Sequence, residues 1–404
     1  MKIKSFLFVL IASVIFSTPG FAQSHGENQK KPNQGYLFTD EIVVPHTSVR
    51  NQYMSGTCWD YSGMGLVEAE LLRTTGRKYN LSEMFNVYYQ YSDRAIKYVR
   101  LHGKMMLGPG GETTDVLRII KKYGMVPESV YSGMHYGTKL PVQGEMDKVL
   151  QNYVDAVVSD PNHKLTTAWH KGFDAVLTSY LGKIPKTFQY DGKTYTPQSF
   201  RDMTGFNLDN IVPVTSFMDH PYFKKFPLAI PDNWTWASYY NVPMKDLLII
   251  INHALKKGYC LAWDTDVSNK GFNWEKGVAF VPDKHPNLKG EALKEWNNLS
   301  RKQKEKRLYN ADSIVQEAVI TPEMRQKDYD NYSTTDDHLM LIVGIAHDQK
   351  GDVFYKIKNS WGTHQVYHGY LYASKAYVEL RTISIAVNKA AIPRDIRRKM
   401  GIKK

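Results

Sequence analysis

The chain has 404 residues, with 52 Lys and Arg against 40 Asp and Glu and a formal charge of +12. That length suffices for a large core in one or two domains, and no internal repeat or low-complexity tract points to a fibrous or disordered chain. The basic surplus would suit an acidic partner, but no nucleic-acid motif accompanies it, so solvated lysines account for the charge and no nucleic-acid partner is expected.

Residues 1–22 have the form of a signal peptide. Lys2 and Lys4 precede an apolar run from Phe6 to Phe16 that is too short to span a bilayer, and Gly20-Phe21-Ala22 offers a small-x-small cleavage site. The expected mature chain starts at Gln23, is exported to the periplasm or the extracellular space, and has no membrane segment. Residues 23–45 are polar at first and are expected to be a leader or linker.

Residues 46–140 form a helical subdomain. A helix starts near Cys58, carries the apolar stripe Met64, Val67 and Leu71, contains Gly63 and Gly65 where another element can approach closely, and stops at Gly76. Leu81 to Arg100 is a second helix capped by Ser82. The loop Gly108-Pro109-Gly110-Gly111 leads to a third, Thr113 to Tyr123, ended by Gly124. Residues 141–245 show no dominant period and are treated as an insertion of unassigned role. Residues 246–390 form a β-rich subdomain. It begins with a helix over Met244 to Lys257 and a strand over Tyr259 to Thr265. Residues 289–330 are a basic helical insertion, and strands follow at His338–Ala346, Val353–Asn359, Gly369–Ala373 and Thr382–Val387. Residues 391–404 are a basic tail. Helices first and strands later give an α+β chain with two packed subdomains and a cleft between them.

The chain has two cysteines, Cys58 and Cys260. An exported protein could join them in a disulfide, or Cys58 could be a free nucleophile. Cys260 lies in an apolar strand and has the character of a buried small hydrophobe. Cys58 follows a Gly-Thr step and opens a helix, where the N-terminal dipole favours a thiolate. Gln52, six residues upstream, supplies an amide that could stabilise an oxyanion. His338 opens an apolar strand after the acidic turn Asp336-Asp337. Asn359 follows 21 residues later in Asn359-Ser360-Trp361-Gly362, and its amide oxygen could fix the imidazole tautomer while Trp361 shields the bond. No Cys/His cluster suggests a metal, and no cofactor is expected. Asp60 and Lys358 place charges near these residues, and Asp60 is expected at the surface.

The order Gln52, Cys58, His338, Asn359, together with Gly56-Thr57-Cys58-Trp59 and Asn359-Ser360-Trp361-Gly362, resembles the papain superfamily of cysteine peptidases. Leu81-Ser82-Glu83, Tyr123-Gly124-Met125-Val126-Pro127 and Trp263-Asp264-Thr265-Asp266-Val267 bring the resemblance closer to its bleomycin hydrolase and aminopeptidase C branch. The 280 residues between Cys58 and His338, about twice the papain-type separation, fit that branch, as does Ser55 in place of a disulfide cysteine.

The resemblance implies a papain-like fold with a helical and a β-barrel-like subdomain and large insertions. It implies Cys58 as nucleophile, His338 as general base and acid, Asn359 as orienting group and Gln52 in the oxyanion hole. It also matches Gly110 and Gly111 to a glycine pair that binds extended peptide. It further implies an aminopeptidase, a ring-shaped homo-oligomer such as a hexamer, and a C-terminal tail in the cleft whose carboxylate meets the substrate amine. Lys403 and Lys404 suit that last role poorly. The alternatives are a papain-like endopeptidase and a non-catalytic scaffold with a Cys58–Cys260 disulfide.

Overall fold

A computed structural model of the chain describes residues 35–161 and 164–403. The expected signal peptide and the first part of the leader lie outside them. Strand β1 (Phe38–Val43) precedes helix α1 (Cys58–Thr75), which is followed by α2 (Glu83–Arg100), α3 (Thr113–Tyr123), α4 (Gly144–Val158) and α5 (Ala168–Leu181). A short hairpin, β2 (Phe188–Tyr190) and β3 (Lys193–Tyr195), leads into α6 (Pro197–Thr204). Next come β4 (Ile211–Thr215), β5 (Lys225–Pro227), β6 (Ser238–Asn241), α7 (Met244–Lys256), β7 (Leu261–Thr265), β8 (Phe272–Asn273) and β9 (Val278–Ala279). Helices α8 (Gly290–Asn298), α9 (Arg301–Leu308) and α10 (Pro322–Asp330) precede the last strands, β10 (His338–Asp348), β11 (Val353–Lys358) and β12 (Tyr370–Ser374). Helix α11 (Lys375–Arg381), strand β13 (Thr382–Asn388) and helix α12 (Arg394–Lys399) end the chain.

The strands make one mixed sheet in the order β5-β6-β4-β13-β7-β10-β11-β12-β9-β8, with β1 added on β10. Two large apolar cores result. One joins the sheet to α7 and the other joins α2–α6, and α1 belongs to both: Leu66 and Ala69 face the sheet core, whereas Trp59, Met64, Val67 and Leu71 face the helical core. Gly63 lets α3 close in, since a Cβ there would come within 2.5 Å of Val116 Cγ2. Gly76 ends the helix at φ 70°, where its N–H bonds the Leu72 carbonyl.

Three expectations are corrected. The leader expected over residues 23–45 contains a sheet strand, β1, paired from Phe38↔Asp348 to Val43↔Gly344. Its polar composition hides it, because backbone hydrogen bonds carry the pairing while Phe38 stacks on Tyr372 at 4.1 Å and covers the aromatic cluster around Phe354. Residues 141–245 are not one insertion. Met146, Leu150, Phe173 and Leu177 complete the helical core, while β4 pairs with β13 and extends the sheet. The tail over 391–404 does not enter the cleft in its described part. Ile392, Ile396 and Met400 are buried in the sheet core, His253 on α7 bonds the Ala391 carbonyl at 2.6 Å, and Asn388 donates to Glu70, three turns down α1 from Cys58. Apolar residues every four positions bury this segment in the sheet core, whatever the charge of the residues between them.

Leu66 is fully buried at the wall shared by the two subdomains. Leu66→Ala is expected to lower the unfolding free energy by about 2–5 kcal/mol, measured by chemical denaturation. A change below about 0.5 kcal/mol would mean that α1 is not held from both sides.

Candidate active site

Cys58 is the first residue of α1. The turn before it is pressed against the 108–111 loop. A Cβ on Gly56 would come within 2.4 Å of Pro109 Cγ, and the Trp59 indole N–H donates to the Pro109 carbonyl at 2.9 Å. Only glycine fits at position 56. Ser62, one turn along the helix, donates its hydroxyl proton to the Met340 carbonyl at 2.6 Å, which locks α1 to the start of β10. The N–H groups of Leu339 and Trp59 reach the Cys58 thiol. The sulfur therefore lies near the residue that follows His338.

His338 Nε2 lies 2.8 Å from Asn359 Oδ1. The Ser360 backbone N–H donates to the same oxygen at 2.7 Å. A backbone N–H can only donate, so the side-chain oxygen of Asn359 faces this point and His338 Nε2 carries the hydrogen. Nδ1 is left as a proton acceptor. The register Leu341↔Lys358 makes this contact possible, because it brings the end of β11 beside the start of β10. Trp361 covers the imidazole with ring centroids 4.6 Å apart, and Trp274 packs against Trp361.

Gln52 is held at both ends of its amide. Ser360 Oγ donates to Oε1 at 2.6 Å and Nε2 donates to the Ser55 carbonyl at 2.8 Å, while the Gln52 backbone N–H bonds the Ser360 carbonyl at 2.7 Å. Among the described residues no second acceptor bonds Nε2, so one of its hydrogens remains uncommitted. The segment is anchored from behind by Arg50, which bonds Glu68 at 2.7 Å and also Glu83. Lys358 belongs to this rear network and not to the cleft: it is buried, donates to Thr47 Oγ1 at 3.2 Å and is pushed down by burial.

Burial dominates the electrostatics. It pushes the Cys58 thiol up to about 12, with Asp232 and Asp336 adding to the rise and the Leu339 and Trp59 N–H groups opposing it. Burial pulls His338 down to about 4 against the bond to Asn359. Each group alone favours its neutral form. A thiolate–imidazolium pair depends on mutual attraction, on the N–H groups at the sulfur and on the helix N-terminus.

Of the predicted residues, the structure brings Cys58, His338, Asn359 and Gln52 to one place. Gly110 and Gly111 border the same cleft, but the crowding that demands glycine there comes from the chain itself. A Cβ on Gly110 would lie 2.0 Å from Asp232 Oδ2, and one on Gly111 would lie 2.5 Å from Gln90 Nε2.

Two further expectations are corrected. Asp60 is not at the surface: it is fully buried, accepts from Asn86 Nδ2 at 2.8 Å, and burial holds its carboxyl well above the usual range. The helix turns it toward α2 and away from the sulfur. Cys58 and Cys260 are both free thiols. Cys260 precedes Leu261, the partner of Ile342, so it lies about 13 Å along the sheet from Leu339, beyond the reach of a disulfide.

Sequence patterns missed the acidic residues around the sulfur. Glu112, Asp264 and Asp336 hold carboxylate oxygens within 4.8 Å of one another. Asp232 joins them through its backbone N–H, which donates to Asp336 Oδ2 at 3.3 Å. The acidic turn before His338 and the Trp-flanked Asp232 in Pro231-Asp232-Asn233-Trp234 were the available signals.

A model of the Peptidase C1-like family matches residues 7–333 and 300–403. Aminopeptidase C of Lactobacillus delbrueckii subsp. lactis is 22% identical over 96% of this chain and 89% of its own length. Bleomycin hydrolase of Rattus norvegicus is 21% identical over 90% of this chain and 85% of its own. The crystal structure of PepW from Lactobacillus rhamnosis superposes with a TM-score of 0.67 at 19% identity, covering 90% of this chain and 84% of that one, so the fold is papain-like.

Removing a negative charge beside the sulfur stabilises its thiolate. Asp336→Asn is therefore expected to move the pH profile of iodoacetamide alkylation at Cys58 to lower pH, by roughly one unit. A profile that stays in place or rises would show that Asp336 does not act on the thiol.

Proposed function

Because the chain belongs to the Peptidase C1-like family, and is thus a cysteine peptidase, we propose that it is an exported aminopeptidase that works through a thioester on Cys58. His338 Nδ1 takes the thiol proton. The sulfur attacks the substrate carbonyl, and the oxyanion receives hydrogen bonds from the Cys58 backbone N–H and the free Nε2 hydrogen of Gln52. The imidazolium then protonates the leaving amine. A water that gives its proton to His338 hydrolyses the thioester, releasing the new carboxylate and the free thiol. Asn359 orients the imidazole throughout, and its tie to Ser360 keeps that orientation single-valued.

The observation that carries this reading is the contact of His338 Nε2 with Asn359 at 2.8 Å, on a strand locked to the Cys58 helix by the Ser62–Met340 hydrogen bond at 2.6 Å. Relatives named aminopeptidase C, G and W favour the exopeptidase reading over the endopeptidase one. The ring-shaped oligomer rests on kinship alone, and a monomer by light scattering would remove it.

Under reducing conditions the protein is expected to cleave aminoacyl p-nitroanilides with a free amine faster than their N-acetylated forms. Cys58→Ala should abolish both activities while leaving the thermal unfolding curve in place. Asn359→Ala should keep residual activity, because the loss is bounded by the share of the general base, on the order of 10²–10⁴-fold in kcat. Preference for the N-acetylated substrate would favour an endopeptidase, and full activity of Cys58→Ala would end the thiol mechanism.

Export is supported by the composition of residues 1–22. N-terminal sequencing of protein from the extracytoplasmic fraction is expected to begin at Gln23, and an intact Met1 confined to the cytoplasm would refute it.

A further inference from the structure

The segment from Leu228 to Ala237, between β5 and β6, straps the two halves of the molecule together at the Gly110 end of the cleft. Asn233 organises it from inside: it is buried, its Nδ2 donates to the Leu228 and Ala237 carbonyls at 2.8 and 2.9 Å, and its Oδ1 accepts from the Ala237 N–H at 2.9 Å. On the helical side the Trp234 carbonyl accepts from Lys97, and the indole lies against the Arg118 guanidinium at 5.0 Å. On the sheet side the Asp232 N–H bonds Asp336 at 3.3 Å. The strap delivers one side chain over the glycine pair, and that side chain is Asp232.

Its carboxylate is poorly compensated. Arg94 lies 3.8 Å away and is wholly buried, but its other nitrogens are committed to the carbonyls of Met106, Gly108 and Gly110. Behind Asp232 and Asp336 stand Glu112 and Asp264, each 1% exposed. Burial holds both acids well above the usual carboxylate range and Asp264 shares a hydrogen bond with Asp336. Among the described residues, however, no N–H or hydroxyl outside the acidic group donates to either oxygen of Asp264 or to Oε1 of Glu112, which lie within 4.8 Å of Asp336. Tyr239 serves only Glu112 Oε2, at 3.1 Å. The nearby Arg325 donates to the Ser216 and Glu379 carbonyls; its buried Nη2 makes no hydrogen bond to the described residues, and its charge reaches Asp264 without a direct ion pair. Crowding four buried acids together is costly, and a compact cation with three N–H donors at the mouth of this group, beside Asp232 and Asp336, would relieve that cost.

We propose that the carboxylates of Asp232 and Asp336, backed by Asp264 and Glu112, bind the free α-ammonium of the peptide substrate, and that the strap carrying Asp232 closes the cleft beyond it. The inference rests on the proposed peptidase activity at Cys58. It gives that activity an amino-terminal recognition site made from an internal loop, in a chain whose described tail is buried in the sheet core. A longer peptide running past Gly110 would meet the Asp232 carboxylate and its strap, so an acylated N-terminus is rejected twice, by charge and by space.

The test compares leucyl-p-nitroanilide with its N-acetyl form in wild type and in Asp232→Asn. The ratio of kcat/KM for the free amine over that for the acetylated substrate is expected to fall about 10–100-fold in the variant, mainly through KM for the free amine. An equal loss on both substrates, or an unchanged ratio, overturns the inference while leaving the peptidase reading intact. A wild-type protein that cleaves neither substrate overturns the peptidase reading first.

A wild-type measurement keeps the test independent of how the variant folds. Leucinamide should protect Cys58 from iodoacetamide at a concentration about 10-fold or more below that needed with N-acetyl-leucinamide, and equal protection overturns the inference. Loss of the free-amine preference on EDTA treatment, restored by calcium, would assign the carboxylates to a metal ion and overturn it as well.

Discussion

The seam between α1 and β10 fixes where the Cys58 sulfur stands relative to the His338 imidazole. The two residues are 280 positions apart in the chain, so nothing local relates them. The relation comes from a helix with almost no solvent-facing side, held by the sheet core through Leu66 and Ala69 and by the helical core through Trp59 and Met64. The Ser62–Met340 hydrogen bond sets its position along the strand. A helix clamped from both faces can neither slide nor rotate without opening a core, and close-packed interiors resist such shifts. Gln52 and Asn359 then follow, because Ser360 binds both of them.

That rigidity comes with an electrostatic cost. The site is dry enough to push the thiol up and the imidazole down, and the neighbouring carboxylates push the thiol further. Burial also keeps Asp232 and Asp336 protonated to higher pH than usual, up to about 6 and about 7. An incoming cation beside these groups favours their charged forms and screens the sulfur from them. In the proposed amine site, binding of the substrate amine would thereby be linked to activation of the thiol, through charge alone.

Much of the site was legible as local chemistry. Gly56-Thr57-Cys58 at a helix start, His338 after a turn and Asn359 in a Ser-Trp-Gly setting each stand out through residue type and immediate neighbours. The helix over Thr113–Tyr123 and the strand beginning at His338 have strong periods and come out where the pattern puts them. The failures share a cause. Asp60 reads as surface because it is charged, yet a single amide from α2 lets it stay buried. The strand at Phe38–Val43 reads as leader because backbone pairing leaves no mark on side-chain composition. The tail reads as a basic tail lying in the cleft because its basic residues outnumber Ile392, Ile396 and Met400, which bury it in the sheet core.

The sequence by itself determined the candidate groups: a thiol at a helix start, an imidazole, an amide that bonds it and a second amide upstream of the thiol. These depend on residue type and near neighbours, which a linear chain records. Only the tertiary structure decided that Cys58 and Cys260 stay apart, that Gly110 is glycine because of Asp232, and that four carboxylates from the β5–β6 strap, β7, the β10 turn and the start of α3 converge on one end of the cleft. Each of these is a distance between residues far apart in the chain. Such distances are set by how the two cores close on α1, and no local pattern encodes them.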